Sequence, residues 1–206
     1  MTTSLQESSS KVIAFVSIFS ALIVVFSLLS IPMPQPIAYL GMASIAVLMV
    51  GLLYRPKLAL VICLIGGFLG ELITDLAFGY GVIPVYLLGA IVARGIEGPL
   101  ISILAGNGEN KVRDFGAMLI GTAWEVFGYI LIGWPLIYSY MTFGEVFIAY
   151  LWVVVDVIWV PVAYIIVIAV RRNYNILKLE ELIYGKLRED VPESTTAQEV
   201  QEIGSE

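Results

Sequence analysis

The sequence predicts an all-α integral membrane protein, a six-transmembrane-helix bundle with both termini cytoplasmic. Apolar stretches of about 20 residues, each long enough to cross roughly 30 Å of hydrocarbon, recur down the chain. The 206 residues are 59% hydrophobic with a mean hydropathy of +0.93, too apolar for an ordinary soluble domain. Lys11, Arg55, Lys57, Lys111, Arg113, Arg171, Arg172, Lys178, Lys186 and Arg188 all fall on one side of a six-pass path. The loops Pro32–Pro36, Gly79–Val82 and Tyr138–Glu145 on the other side carry no Lys or Arg. By the positive-inside rule both ends of the chain are cytoplasmic.

Taken in order, residues 1–10 are polar and Ser-rich and read as a disordered lead to a membrane domain spanning 11–172. Val12–Ile31 is too long for a signal-peptide core and has no small-residue cleavage site, so it stays as the first helix. Pro32, Pro34 and Pro36 break it and stiffen the following loop. A second helix is expected over Ile37–Tyr54, ended by Arg55-Pro56-Lys57, and a third over Leu58–Phe78. After the Gly79-Tyr80-Gly81 turn, a fourth covers Ile83–Leu104. The hydrophilic loop Gly106–Asp114 leads to a fifth over Phe115–Pro135, and the sixth is expected over Val146–Val170. In residues 173–190, Ile176, Leu179, Ile183 and Leu187 recur at helical spacing, which predicts a cytoplasmic amphipathic helix. Residues 191–206 are polar and acidic without aromatics and read as disordered.

Composition excludes several chemistries. Eight of the 17 acids behind the net charge of −6 follow Arg172, and no basic patch offers a nucleic-acid footprint. There is no histidine, which removes histidine relays, histidine metal sites and serine-hydrolase triads. The single cysteine, Cys63, lies in an apolar segment and reads as a small buried or lipid-facing residue. No nucleophile is supplied, so an enzyme is not expected, and no cofactor is implied.

What stands out is charge at membrane depth. Glu71, Asp75, Arg94 and Glu97 lie in the third and fourth helices, Glu125 in the fifth and Asp156 in the sixth. Such residues usually face the bundle interior and mark a ligand or ion path. Glu71 and Asp75 are spaced i,i+4, and Arg94 and Glu97 i,i+3, so each pair shares a face. Gly121, Glu125, Gly128, Tyr129 and Ile132 form one face of the fifth helix; Trp152, Asp156 and Trp159 form one face of the sixth. Acids beside a tyrosine and two indoles suit a flat, polar or cationic organic molecule. A closed ion-pair network among the same charges is the competing account. Five acids against one arginine exceed what internal pairing neutralises, so protons or a positive ligand must make up the difference. Gly66 and Gly70 form a small-xxx-small step of the kind that packs membrane helices. Trp134 and Tyr138 suit interfacial anchors.

At these residues the chain resembles a known family, the substrate-binding S components of energy-coupling factor (ECF) vitamin transporters. The likeness rests on the Lys11 lead-in, the run RPKLALVICLIGGFLGELITDLAFG, the following VARGIEGPLISIL and the WEVFGY of the fifth helix, and it covers Lys11–Arg172. The resemblance implies a cell-membrane subunit of prokaryotic type with no ATPase of its own. It would capture a vitamin or precursor from outside under the loop between helices 1 and 2. It would then topple against a transmembrane coupling subunit driven by two ATPase subunits. The convergence of charged and aromatic positions described above makes Glu71, Asp75, Arg94, Glu125, Tyr129, Trp152, Asp156 and Trp159 the expected lining of the substrate site. The family's Ala-xxx-Ala docking step on helix 1 has its nearest match in Ser17-Ile-Phe-Ser-Ala21, with Ala14 one turn earlier. The Met-His amino terminus of metal-transporting relatives is absent, which points away from nickel or cobalt. A stand-alone secondary transporter using the buried acids, and a membrane scaffold in which the charges only hold the bundle together, remain as alternatives.

Overall fold

The computed structural model describes residues 2–29, 31–32, 39–79, 84–106, 110–136, 142, 144 and 151–172. The chain divides into two compact units. The smaller comprises Met1–Val12 and Ala169–Glu206, of which helical residues 2–12 and 169–172 are described. The larger, Ile13–Ile168, holds the bundle and its polar centre. The expected amphipathic helix over 173–190 and the acidic tail over 191–206 lie outside the described residues.

Helix α1 runs Thr2–Leu28, so helix extends through the polar segment ahead of Val12. Once an apolar segment has nucleated a helix, each added residue gains one hydrogen bond, and Ser, Gln and Glu tolerate the extension. Beyond it β1, Ile31–Pro32, pairs antiparallel with β2, Tyr39–Leu40, with Ile31 opposite Leu40 and Pro32 opposite Tyr39. This two-residue ladder aside, the regular structure among the described residues is helical.

Helix α2 occupies only Ala43–Leu53 rather than Ile37–Tyr54. Eleven residues rise about 16 Å, half of a typical hydrocarbon core. Helix α3, Pro56–Ala77, begins with proline at its first turn, where the missing N–H is unneeded. Beyond its end Gly79 turns the chain at φ +75°, which favours glycine. Helix α4 spans Pro84–Leu104 and α5 spans Lys111–Leu136. The early start of α5 is set by Asn110, whose Oδ1 accepts the Arg113 N–H at 3.1 Å as a helix cap. Asp114 Oδ1 accepts the Gly106 N–H at 2.8 Å and ties the preceding loop to the same end.

The sixth crossing departs most from expectation. Its described part is not one α-helix but a 3-10 helix, Leu151–Ile158, followed by α6, Trp159–Arg172. Pro161 supplies the reason. It has no N–H to give the Val157 carbonyl, and its ring crowds that carbonyl, so α-helix cannot continue regularly through this turn. Pro161 is accommodated in the first turn of α6, and the run before it tightens to 3-10.

Helices α3, α4 and α5 are each long and apolar enough to cross a membrane, and the apolar helical stretches Val12–Leu28 and Ala43–Leu53 are shorter. The fold is therefore a helical membrane bundle with α4 at its centre, packed against α2, α3 and α5. Its apolar core gathers Leu48 and Leu52 of α2, Ile101 of α4, Met118 of α5, and Val160 and Val167 of α6. It lies towards the Leu53, Leu104 and Lys111 ends of its helices.

Close approach depends on glycine. A Cβ at Gly66 would lie 2.8 Å from Ile23 Cδ1, and one at Gly70 would strike Ser27, so the Gly66/Gly70 step seats α1 on α3. At Gly128 a Cβ would lie 2.8 Å from the Ala93 Cα, which is backbone and cannot swing aside. Gly128→Ala is therefore expected to lower stability by about 1–3 kcal/mol through overpacking. Gly116→Ala, where an added Cβ meets nothing within 4 Å, should leave stability unchanged or slightly raised. Thermal unfolding of the two variants in the same detergent checks the contrast.

Candidate functional site

The charged side chains of these helices turn into the bundle. Glu71 and Asp75 of α3, Arg94 and Glu97 of α4, Glu125 of α5 and Asp156 of the 3-10 helix are all buried. Arg94 is the centre: its Nη1 donates to Glu71 Oε2 at 3.0 Å and its Nε to Glu125 Oε1 at 3.2 Å. Its guanidinium carbon lies 5.8 Å from the centroid of the Tyr129 ring, within cation–π range. One residue thus ties three helices, and an arginine suits the task because its fixed fork of donors can serve two acceptors.

The chain of contacts continues through Ser44, in the first turn of α2. Its Oγ lies 3.1 Å from Glu125 Oε2 and 3.3 Å from Asp156 Oδ2, joining the two acids across α2. The acids sit where the first turn of α2 presents the positive end of its dipole, which favours negative charge. The sequence reading had no role for Ser44. Its legible signal was a hydroxyl in the otherwise apolar run ASIAVLMVGLL, with Glu125 and Asp156 to receive it.

Above this level the backbone is irregular. The β1–β2 ladder precedes α2, and β2 packs against the 3-10 helix. Non-helical backbone at membrane depth is tolerated where it is buried in protein or lines a cavity. Both irregular segments lead directly to the polar cluster, the first to Ser44 and the second to Asp156.

The structure brings together Glu71, Arg94, Glu125, Tyr129 and Asp156 of the expected site. Asp75 is buried one turn further along α3. Trp159 stands one turn from Asp156, and its indole N–H approaches that carboxyl without reaching full hydrogen-bond geometry. Trp152 lies in the 3-10 helix, but its side chain is outside the described residues. Ala14, Ser17 and Ala21 lie on the exposed side of α1, beside the exposed Ile18 and Val25. Among the described residues no group of His, Cys, Asp and Glu side chains is placed to hold a metal ion.

A family model described as the ECF-type riboflavin transporter S component matches residues 7–178, which take in every buried charge named above, α2 to α6, and α1 from its sixth residue on. The chain belongs to that family. As an ECF S component it is a membrane transport subunit and stands among proteins that are not enzymes. No curated protein and no solved structure matches the chain.

Arg94 in this S component is expected to be the most costly single loss. Arg94→Met leaves Glu71 and Glu125 buried without their shared cation, and breaking a buried pair in this way costs about 3–5 kcal/mol. The double variant Arg94→Met/Glu71→Met should recover part of the loss, because one uncompensated acid goes with it. A double-mutant cycle on unfolding free energy reads the coupling, and strict additivity would refute the ion pair.

Proposed function

We propose that this chain is the membrane-embedded substrate-binding subunit of an ECF-type ABC importer, capturing riboflavin or a closely related flavin from outside. The family match over 7–178 carries the reading. The chemistry of the buried cluster supports it. The flavin ring is flat, and one edge presents an imide N–H between two carbonyls. Its polyol chain is rich in hydroxyl donors. Carboxylates of Glu125 and Asp156 accept such donors, Arg94 and the Trp159 indole N–H can donate to carbonyls, and the Tyr129 and Trp159 rings suit the apolar ring face. Glu71 and Asp75 complete the polar surround, and Trp152 is a further candidate for stacking.

Both termini are cytoplasmic in this reading, from the distribution of Lys and Arg over the loops. The segment between α1 and α2 serves as the outer lid. The exposed Ala14/Ser17/Ala21 side of α1 docks on the transmembrane coupling subunit, against which the loaded subunit topples when two ATPase subunits act. Small residues at that surface allow close helix approach.

The closed pairing of Arg94 with Glu71 and Glu125 favours a second reading, in which the charges serve only to hold the bundle. Flavin titration of the purified protein separates the two, followed by quenching of flavin fluorescence. The parent protein should bind riboflavin and prefer it over its 5′-phosphate, because five buried acids surround one buried arginine and repel an anion. Glu125→Gln and Asp156→Asn should weaken binding about 30-fold or more, the cost of truncating a desolvated charged contact. Variants that melt earlier yet bind as tightly as the parent would establish the purely structural role.

Docking has its own test. Ser17→Trp and Ala21→Trp should abolish ATP-driven uptake in proteoliposomes containing the coupling and ATPase subunits, while flavin affinity stays within about twofold, as expected for a surface change remote from the site. Loss of binding together with uptake would place these residues in the bundle's own packing.

A further inference from the structure

Glu97 is not among the residues expected to line the substrate site, yet both of its carboxyl oxygens are buried among the described residues. Its side chain is 0% exposed, and neither carboxyl oxygen has a hydrogen-bond partner in the protein. Arg94, one turn away on the same helix, directs its bonds to Glu71 and Glu125 instead. Facing Glu97 is Gly121 of α5, where an added Cβ would lie 3.3 Å from Glu97 Cγ. The charges within its reach are Glu125 of α5, Arg94 of its own helix and Asp156 of the 3-10 helix. Two further buried atoms in this cluster lack a full hydrogen bond, Asp156 Oδ1 and the Trp159 indole nitrogen. Buried polar atoms without partners are rare and call for an explanation.

The unmatched atoms are mainly acceptors: both Glu97 oxygens and Asp156 Oδ1, with one indole donor. A ligand matching them must bring several hydroxyl or N–H donors and no negative charge. A carboxylate with both oxygens open pairs well with two adjacent hydroxyls, one to each oxygen. We propose that Glu97 is a specificity-determining residue of the substrate site, binding adjacent hydroxyls of the substrate's polyol chain. The inference rests on the flavin reading above and deepens it. It assigns the polyol to the α4–α5 side of the cluster, beside Glu97 and Gly121, and leaves the ring edge to Asp156 and Trp159.

The test compares riboflavin with lumiflavin, which keeps the ring system and lacks the polyol, on the parent protein and on Glu97→Gln. Glu97→Gln should weaken riboflavin about 10- to 100-fold, the scale of leaving buried hydroxyls without their acceptor. Lumiflavin affinity should not change. Glu97→Asp, which keeps the carboxyl group and withdraws it by one methylene, should show the same selective loss and serves if the glutamine variant does not fold. Equal weakening of both flavins would show that Glu97 acts through packing and overturn the proposal. Unchanged riboflavin affinity would overturn it as well. If the parent binds neither flavin, the substrate reading itself fails, a result distinct from a parent that binds and a variant that does not discriminate.

Discussion

The bundle depends on a buried arginine that two neighbouring helices neutralise. Arg94 sits in α4, which packs against α2, α3 and α5, and its two ion pairs run outward to α3 and α5. A charge removed from water at this depth is tolerated only with close partners and well-formed hydrogen bonds. That requirement fixes more than one pair of side chains. Glu71 must lie on the α4-facing side of α3, Glu125 on the α4-facing side of α5, and the helices must approach closely enough for contacts of 3.0 and 3.2 Å.

Glycines make that approach possible, and their positions follow the charges. A Cβ at Gly67 would lie 3.3 Å from Arg94 Cβ, so the absence of a side chain there lets the arginine stem pass along α3. A Cβ at Gly89 would lie 2.8 Å from the Tyr129 ring, so the absence of a side chain there leaves room for the ring that stands near the guanidinium. Gly121 opens α5 beside Glu97 in the same way. In lipid, where no hydrophobic force separates helix from solvent, such close backbone contacts and polar links carry the association of helices.

Much of this was legible in the chain. Apolar length marked the crossings, and the i,i+3 and i,i+4 spacings placed the charges on inward faces, where Glu71, Arg94 and Glu125 do meet. Two features were not legible for physical reasons. The 3-10 helix at Leu151–Ile158 arises because Pro161 disrupts the turn before it, whereas an apolar run of this composition reads as uninterrupted helix by periodicity alone. Ser44 escaped notice because a single hydroxyl near a helix end is ordinary; only the fold brings it between acids 81 and 112 residues away. Asn110, by contrast, was a readable cap, and it moves the start of α5 to Lys111.

The two halves of the bundle are built by opposite rules. Towards the Leu53, Leu104 and Lys111 ends, regular helices interlock over Leu48, Leu52, Ile101, Met118 and Val167, a core with no ionised group. One turn beyond Ile101 lies Glu97, and from there the described interior becomes polar, with the 3-10 helix in place of regular α-helix ahead of α6. The apolar half gives a rigid floor, because close-packed aliphatic side chains resist rearrangement. In the polar half, Ser44 at the start of α2 stands between Glu125 of α5 and Asp156 of the 3-10 helix. Movement of either segment changes the surroundings of Glu125 directly, through the Ser44 hydroxyl that touches both carboxyls. That hydroxyl joins the start of α2 to the 3-10 helix at the charged centre, so this half of the bundle is held by polar links where the other is held by aliphatic packing.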